Sequence, residues 1–332
     1  MSLDAVLSER RICICVGAGG VGKTTSAAAI ALGLAAKGQR VALRGEVWAM
    51  VLDPKRTFDD LIRRLAVDEA TRDRVFSNRI YREISGAVGG SHEFTAVAKL
   101  FELDRSGQFD AIVLDTPPSR NTLDFLRAPE HLMQFFDAPA LRLFLAPAGL
   151  GARFANRAGA PAMALMRRLI GIDLLGEIAL FFAAVGSLVG GFRERAAAVE
   201  ALLRDRGTTF VLISSPEREP VRESIAFAAQ LRRADLEIGG VLVNRVAMST
   251  DDDAPSDSPA TELALVAALG ERLGGIVAAS AERAVRQAHQ DQLGVARLRG
   301  QLDGVPLTLV PRLDRSLGEL ETLGAVARRL FD

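Results

Sequence analysis

The sequence predicts an α/β fold, with a mostly parallel sheet covered by helices on both faces and a helical insertion. Three observations carry that prediction. Short aliphatic or β-branched runs alternate with helical patterns along most of the 332 residues. Several of these runs are almost wholly apolar, such as Ala111-Ile112-Val113-Leu114 and Phe210-Val211-Leu212-Ile213, as strands buried on both faces should be. A glycine-rich turn joins the first of them directly to a helical pattern.

The first strand is Arg11–Val16, followed by the turn Gly17–Thr25 and a helix over Ser26–Ala36. The turn reads Gly17-Ala18-Gly19-Gly20-Val21-Gly22-Lys23-Thr24-Thr25 and fits the phosphate-loop spacing G-x-x-x-x-G-K-[ST]. Its glycines let the backbone curl through positive φ and bring N–H groups close to an anion. Lys23 is placed to neutralise β and γ phosphates, and the Thr24 hydroxyl to ligate Mg²⁺. The positive end of the following helix favours the same anion. The residues therefore predict a P-loop site for a nucleoside triphosphate.

Five further strands are predicted at Arg40–Arg44, Asp110–Leu114, Thr208–Ser214, Gly240–Asn244 and Pro306–Val310. The polar, proline-containing stretch Thr250–Ala260 predicts a mobile loop. We read residues 1–332 as a single P-loop domain in which 128–201 forms the helical insertion. The insertion is rich in Met and Phe, including Met133, Met163, Phe181 and Phe182. Its apolar surface could receive a hydrophobic protein client, or its side chains could pack on the body and on each other. Packing is favoured, because apolar stripes at helical spacing usually belong to a core.

Composition narrows the function. The net charge is zero and no dense basic run occurs, so nothing suggests a nucleic-acid footprint. Residues 1–11 have no apolar signal-peptide core. The longest uncharged run, Ile178–Phe192, falls short of the roughly 20 residues that span a bilayer, so no integral membrane span is expected. The two cysteines, Cys13 and Cys15, sit two apart on one stiff strand and cannot form a disulfide together. A reducing, cytoplasmic location is expected.

Asp115 closes the apolar run Ala111–Leu114, where a phosphate-loop enzyme places the carboxylate that holds Mg²⁺, usually through water. Thr116–Thr122 would then be a switch segment sensing the γ-phosphate. Asp110, at the other end of the strand, does not fit that role.

The loop and the Asp115-Thr116-Pro117-Pro118 strand end resemble the ArsA/Get-type ATPases of the arsenite pump and of tail-anchored-protein targeting. Within that family the likeness is to bacterial single-domain anion-transporting ATPases. Further marks are Trp48-Ala49-Met50, Leu52–Asp59, Ser215-Pro216-Glu217, Asn244-Arg245-Val246 and Val310-Pro311-Arg312-Leu313. The resemblance implies ATP and Mg²⁺ as ligands, with Asn244 and Pro311, Arg312 and Leu313 holding the adenine. On the residues alone, Asn244 is also readable as a turn former. The resemblance also implies a dimer, either of identical chains or with a paralogous ATPase, that closes on ATP and handles a client.

Two departures from the family pattern bear on hydrolysis. Relatives carry a second lysine after the first loop glycine, reaching across the dimer, and this chain has Ala18. Cross-subunit cations of this kind can be worth about 10³–10⁵ in rate. Relatives also end their second strand with an Asp-Pro switch, whereas Val41–Arg44 here runs into Gly45-Glu46-Val47-Trp48. Glu46 and Asp53 are weak substitutes, and a missing switch is the favoured reading. Lys23 and Asp115 are thus the expected catalytic residues of an ATPase. The alternative is an ATP-binding regulatory subunit impaired in hydrolysis. Arsenite export is not implied, since no cysteine triad is present.

Overall fold

A computed structural model describes residues 2–39, 41, 47–66, 68–79, 81, 92–116, 188–248, 259–313 and 318–331. They fall into two compact units, one built from Met1–Trp48, Gly107–Thr122 and Arg204–Asp332, the other from Ala49–Ser106 and Leu123–Leu203.

The first unit holds a five-stranded, wholly parallel sheet. Its strands are β1 (Ile12–Val16), β2 (Ile112–Asp115), β3 (Thr208–Ser214), β4 (Ile238–Val246) and β5 (Leu307–Pro311), in the order β2-β1-β3-β4-β5. The chain moves from β1 to one side and then returns to the other, so the strand order reverses between β1 and β3. In open parallel sheets that switch point is where ligands bind, beyond the carboxyl ends of the strands. The glycine-rich turn leaves β1 there.

The sheet alternates its side chains between two covered faces. Cys13, Cys15, Val211, Ile213, Leu242 and Val310 share one apolar cluster with three helices. These are α1 (Leu3–Glu9), α2 (Lys23–Ala36) and, from the C-terminal end, α10 (Glu319–Phe331). On the opposite face Ile14, Val16, Phe210, Leu212, Val241 and Val243 are buried, and the helices packed on β3 and β4 are α7 (Arg218–Arg233) and α9 (Glu271–Gln301). Each such Leu, Ile or Phe contributes about 1.5–3 kcal/mol by leaving water. The predicted cover on both faces is therefore observed.

Five of the six expected strands fall among described residues and form the sheet, β3 residue for residue. The strand expected at 40–44 lies outside the described residues apart from Val41, as do residues 250–258 of the expected loop. The end of that loop was read two residues too far, because Pro259 and Ala260 already belong to α8 (Pro259–Leu269). Proline at the first helical position costs no backbone hydrogen bond, so it opens a helix as readily as it closes a loop.

The described part of the second unit is helical: α3 (Pro54–Leu65), α4 (Glu69–Ser77), α5 (His92–Ser106) and α6 (Val189–Leu203). Asp53 caps α3 by accepting from the Arg56 amide at 3.0 Å, and Asp68 caps α4 through the Thr71 amide at 2.6 Å. That hydrogen bond holds the Asp68 carboxyl below its ordinary range. α5 packs on α3 and α6, with Glu102 accepting from Arg64 and Lys99, and Arg105 and Arg195 lying over the Phe101 ring. Residues 128–187, most of the expected insertion, lie outside the described residues. Of its remainder, 188–201, all but Leu188 belongs to α6, which runs on to Leu203.

Candidate functional site

The turn after β1 is shaped by two close approaches. A Cβ on Gly17 would sit 2.0 Å from the Ile213 carbonyl oxygen of β3. Only glycine lets the chain pass that strand end. Gly22 has φ +93° and ψ +32° at the N-cap of α2, and a Cβ there would lie 2.3 Å from Asn244 Nδ2. Having no side chain, Gly22 offers no cap to the first-turn amides of α2, which leaves them free to meet an anion. Gly19 and Gly20 are exposed at the crest of the turn. Val21 is buried and Ala18 packs its methyl against the same apolar cluster. Thr25, in the first turn of α2, is half-buried.

Lys23 is only 6% exposed. Its Nζ folds back to donate to the Gly17 and Ala18 carbonyl oxygens at 3.0 and 2.8 Å. Burial lowers its pKa from the ordinary lysine value, against the opposing pull of Asp115, Glu223 and Cys15. Among the described residues this ammonium has two hydrogen-bond acceptors, both neutral, and an anion in the turn would supply charge to match it. Beneath it, a hydrogen bond with Cys13 and then burial push the Cys15 thiol well above its usual range. Both cysteines are free and buried, packed in the sheet's apolar cluster.

Thr24 Oγ1 donates to Asp115 Oδ2 at 2.6 Å, across 91 residues of sequence. Parallel pairing of β1 with β2 sets Cys15 opposite Asp115 and so brings that carboxylate beside the turn. The pair fits Mg²⁺: two hard oxygen atoms of which the carboxylate is exposed, leaving positions for water and phosphate. Among the described residues no group of three or more His, Cys, Asp or Glu forms a dedicated metal cage. Thr116, next along, is 3% exposed and donates its hydroxyl to the Cys15 carbonyl at 2.8 Å, which anchors the strand end. Residues 117–122 of the expected switch lie outside the described residues, and so does Glu46.

Asn244 stands near the end of β4 and reaches the turn. Its Nδ2 donates to the Val21 carbonyl at 3.0 Å, while its Oδ1 accepts from the Arg245 amide at 2.9 Å. Arg245 adopts φ +61° inside β4, within the irregularity that shifts the β4–β5 register between Val243 and Val246. Pro311 pairs with Val246, and the Arg312 amide donates to the Val246 carbonyl at 2.9 Å. Leu313 packs on the apolar cluster below. The structure thus gathers the turn, Thr24, Asp115, Asn244 and Pro311–Leu313 along the carboxyl edge of one sheet. Asp53 belongs to the other unit, where its carboxylate caps α3.

The family model for anion-transporting ATPases matches residues 47–261, about two thirds of the chain. The chain belongs to the anion-transporting ATPase family. The matched span contains Asp115 and Asn244, and it begins after the glycine-rich turn. Over 260 residues the chain is 25% identical to the ATPase GET3A of Arabidopsis thaliana, covering 71% of this chain and 67% of that protein. It is 22% identical over 278 residues to the ATPase GET3 of Kluyveromyces lactis, covering 72% and 73%. It is 28% identical over 277 residues to an uncharacterized protein of Streptomyces coelicolor, covering 75% and 65%. No described helix of this anion-transporting ATPase family member is long and apolar enough to cross a membrane.

Two features of the site were missed in the sequence. One is the contact between Asn244 and Val21, which no local spacing announces. The other is Asp291, a carboxylate on α9 that is 1% exposed. Its signal was present: Ala288, Asp291, Val295 and Leu298 are the buried stripe of that half of the helix, and one of the four is charged.

Proposed function

We propose that this chain binds Mg-ATP in the turn after β1 and hydrolyses it, coupling the nucleotide cycle to dimer closure and to a client or partner. The observation that carries the reading is the contact of Thr24 with Asp115 beside a turn whose buried lysine, among the described residues, donates to two backbone carbonyls. Lys23 would exchange the Gly17 and Ala18 carbonyls for the β and γ phosphates, offsetting the desolvation of its ammonium. The loop amides from Gly17 to Thr25 would cradle the same phosphates. Thr24 and Asp115 would hold Mg²⁺, which when bound neutralises developing charge on the phosphate oxygens. Asn244 and Pro311–Leu313 would receive the adenine, with Asn244 tying that edge to the phosphate loop through Val21. The family likeness supports a dimer and a helical insertion over 128–201 serving as client or lid subdomain, in the cytoplasm.

A second reading, an ATP-binding regulatory subunit paired with a paralogue, is favoured by a specific observation. Ala18 places a methyl where relatives carry the second lysine, and Asp53 spends its carboxylate on the α3 cap. Calorimetry with Mg-ATP tests the site: Lys23→Ala should abolish binding, and unchanged affinity would reject it. Turnover of the purified chain, alone and with its nearest paralogue, separates the two readings. Robust hydrolysis by the isolated chain would eliminate the regulatory one.

A further inference from the structure

Asp291 is a buried carboxylate whose hydrogen bonds in this structure come from neutral donors. Its Oδ2 accepts from the Ala247 backbone amide at 2.8 Å and its Oδ1 from Gln287 Nε2 at 2.7 Å. Among the described residues it forms no ion pair. Burying a carboxylate on such terms is expensive, so it persists only where the groups that it holds matter. One of them is the first amide past β4. Ala247 directly follows Val246, whose carbonyl receives the Arg312 amide, and lies three residues beyond Asn244. The helix that carries Asp291 also approaches the end of β3 closely, because a Cβ on Gly294 would lie 2.1 Å from the Pro216 carbonyl oxygen just past that strand. α9 thus braces the ends of β3 and β4 together, and Asp291 is the polar pin of the brace.

We propose that Asp291 is a positioning residue for the nucleotide base. By holding Ala247 it keeps the β4 end where Asn244 and Pro311–Leu313 form one edge of the base site. The phosphate turn touches that edge through the Asn244 bond to Val21, but it is fixed as well by Gly17 against Ile213 and by Lys23 on its own loop, so a displaced β4 end costs the base more than the phosphates. The inference rests on the ATP site proposed above, and the test separates the two through ligands with and without a base.

Affinities for Mg-ATP and for Mg-tripolyphosphate, which has phosphates and no base, are measured by calorimetry. Asp291→Ala should weaken ATP about tenfold, the equivalent of one half-buried amide left without its charged acceptor, while tripolyphosphate stays within about twofold. Asp291→Asn keeps an oxygen for the Ala247 amide and should hold ATP affinity within about threefold. Lys23→Ala should lose both ligands. Should circular dichroism show Asp291→Ala unfolded, Gln287→Ala, which removes the other donor at a half-buried position, decides. It should weaken ATP about two- to threefold and leave tripolyphosphate unchanged. Wild-type ATP affinity in the variant that decides, or an equal loss of both ligands, would overturn the proposal. Wild-type protein that binds neither ligand would overturn the nucleotide site itself, and this inference with it.

Discussion

Replacing Gly22 by alanine should destabilise the ATP-free protein by about 1.5–3.5 kcal/mol, the sum of two separable effects. The first is backbone strain. Gly22 sits at φ +93°, ψ +32°, and a residue with a Cβ pays about 1–2 kcal/mol for left-handed geometry. The second is collision. The new methyl would lie 2.3 Å from Asn244 Nδ2, so the amide must swing away and give up its bond to the Val21 carbonyl. A net hydrogen bond of this kind is worth about 0.5–1.5 kcal/mol. Gly20→Ala is the internal control, since it has φ +77° and open space around the added methyl. It should show the strain alone, and the unfolded-chain entropy lost on replacing glycine by alanine cancels between the two variants. Urea unfolding of both proteins reads the difference. The Asn244→Ala background completes a cycle, because there Gly22→Ala should cost no more than Gly20→Ala. Equal destabilisation by the two glycine variants in the wild-type background would refute the Asn244 clamp.

Two further outcomes follow from the same geometry. Burial lowers the pKa of Lys23, so between that depressed value and the ordinary value of about 10.4 the unfolded chain binds more protons than the folded one. ATP-free stability should therefore rise with pH across that window, the burial penalty being fully present below the folded pKa and fading above it. Lys23→Met should remove this rise, which urea unfolding from pH 7 to pH 10 checks, and identical slopes would contradict it. Asp53→Ala should cost about 1 kcal/mol of stability through the lost α3 cap and leave ATP turnover unaltered. A collapse of turnover without loss of stability would instead assign Asp53 to the reaction.

Much of the site was legible because its signals are local. A phosphate loop needs a fixed spacing of glycines, lysine and threonine, and Gly17 to Thr25 carries it in nine consecutive residues. Asp115 was legible as the acidic end of an apolar strand, and β3 as an unbroken apolar run. β4 was read as Gly240–Asn244 but extends from Ile238 to Val246. Its start was hidden by Gly239 and Gly240, which break a strand pattern. In the fold they make room for neighbours, since added Cβ atoms would lie 2.2 Å from Thr209 Oγ1 and 2.3 Å from Leu3 Cδ1. α1 was likewise unread, although Leu3, Val6 and Leu7 are buried.

By itself, the order of residues determined the glycine-rich turn proposed to hold phosphate, the carboxylate at the end of the next sheet strand and the alternation that builds a parallel sheet. These depend on spacings of a few residues along one chain. Only the tertiary structure decided that Thr24 meets Asp115, that Asn244 clamps Val21 and that a charged residue in the buried stripe of α9 pins Ala247. Each joins segments distant in sequence, and strand register and helix packing bring them within hydrogen-bond reach.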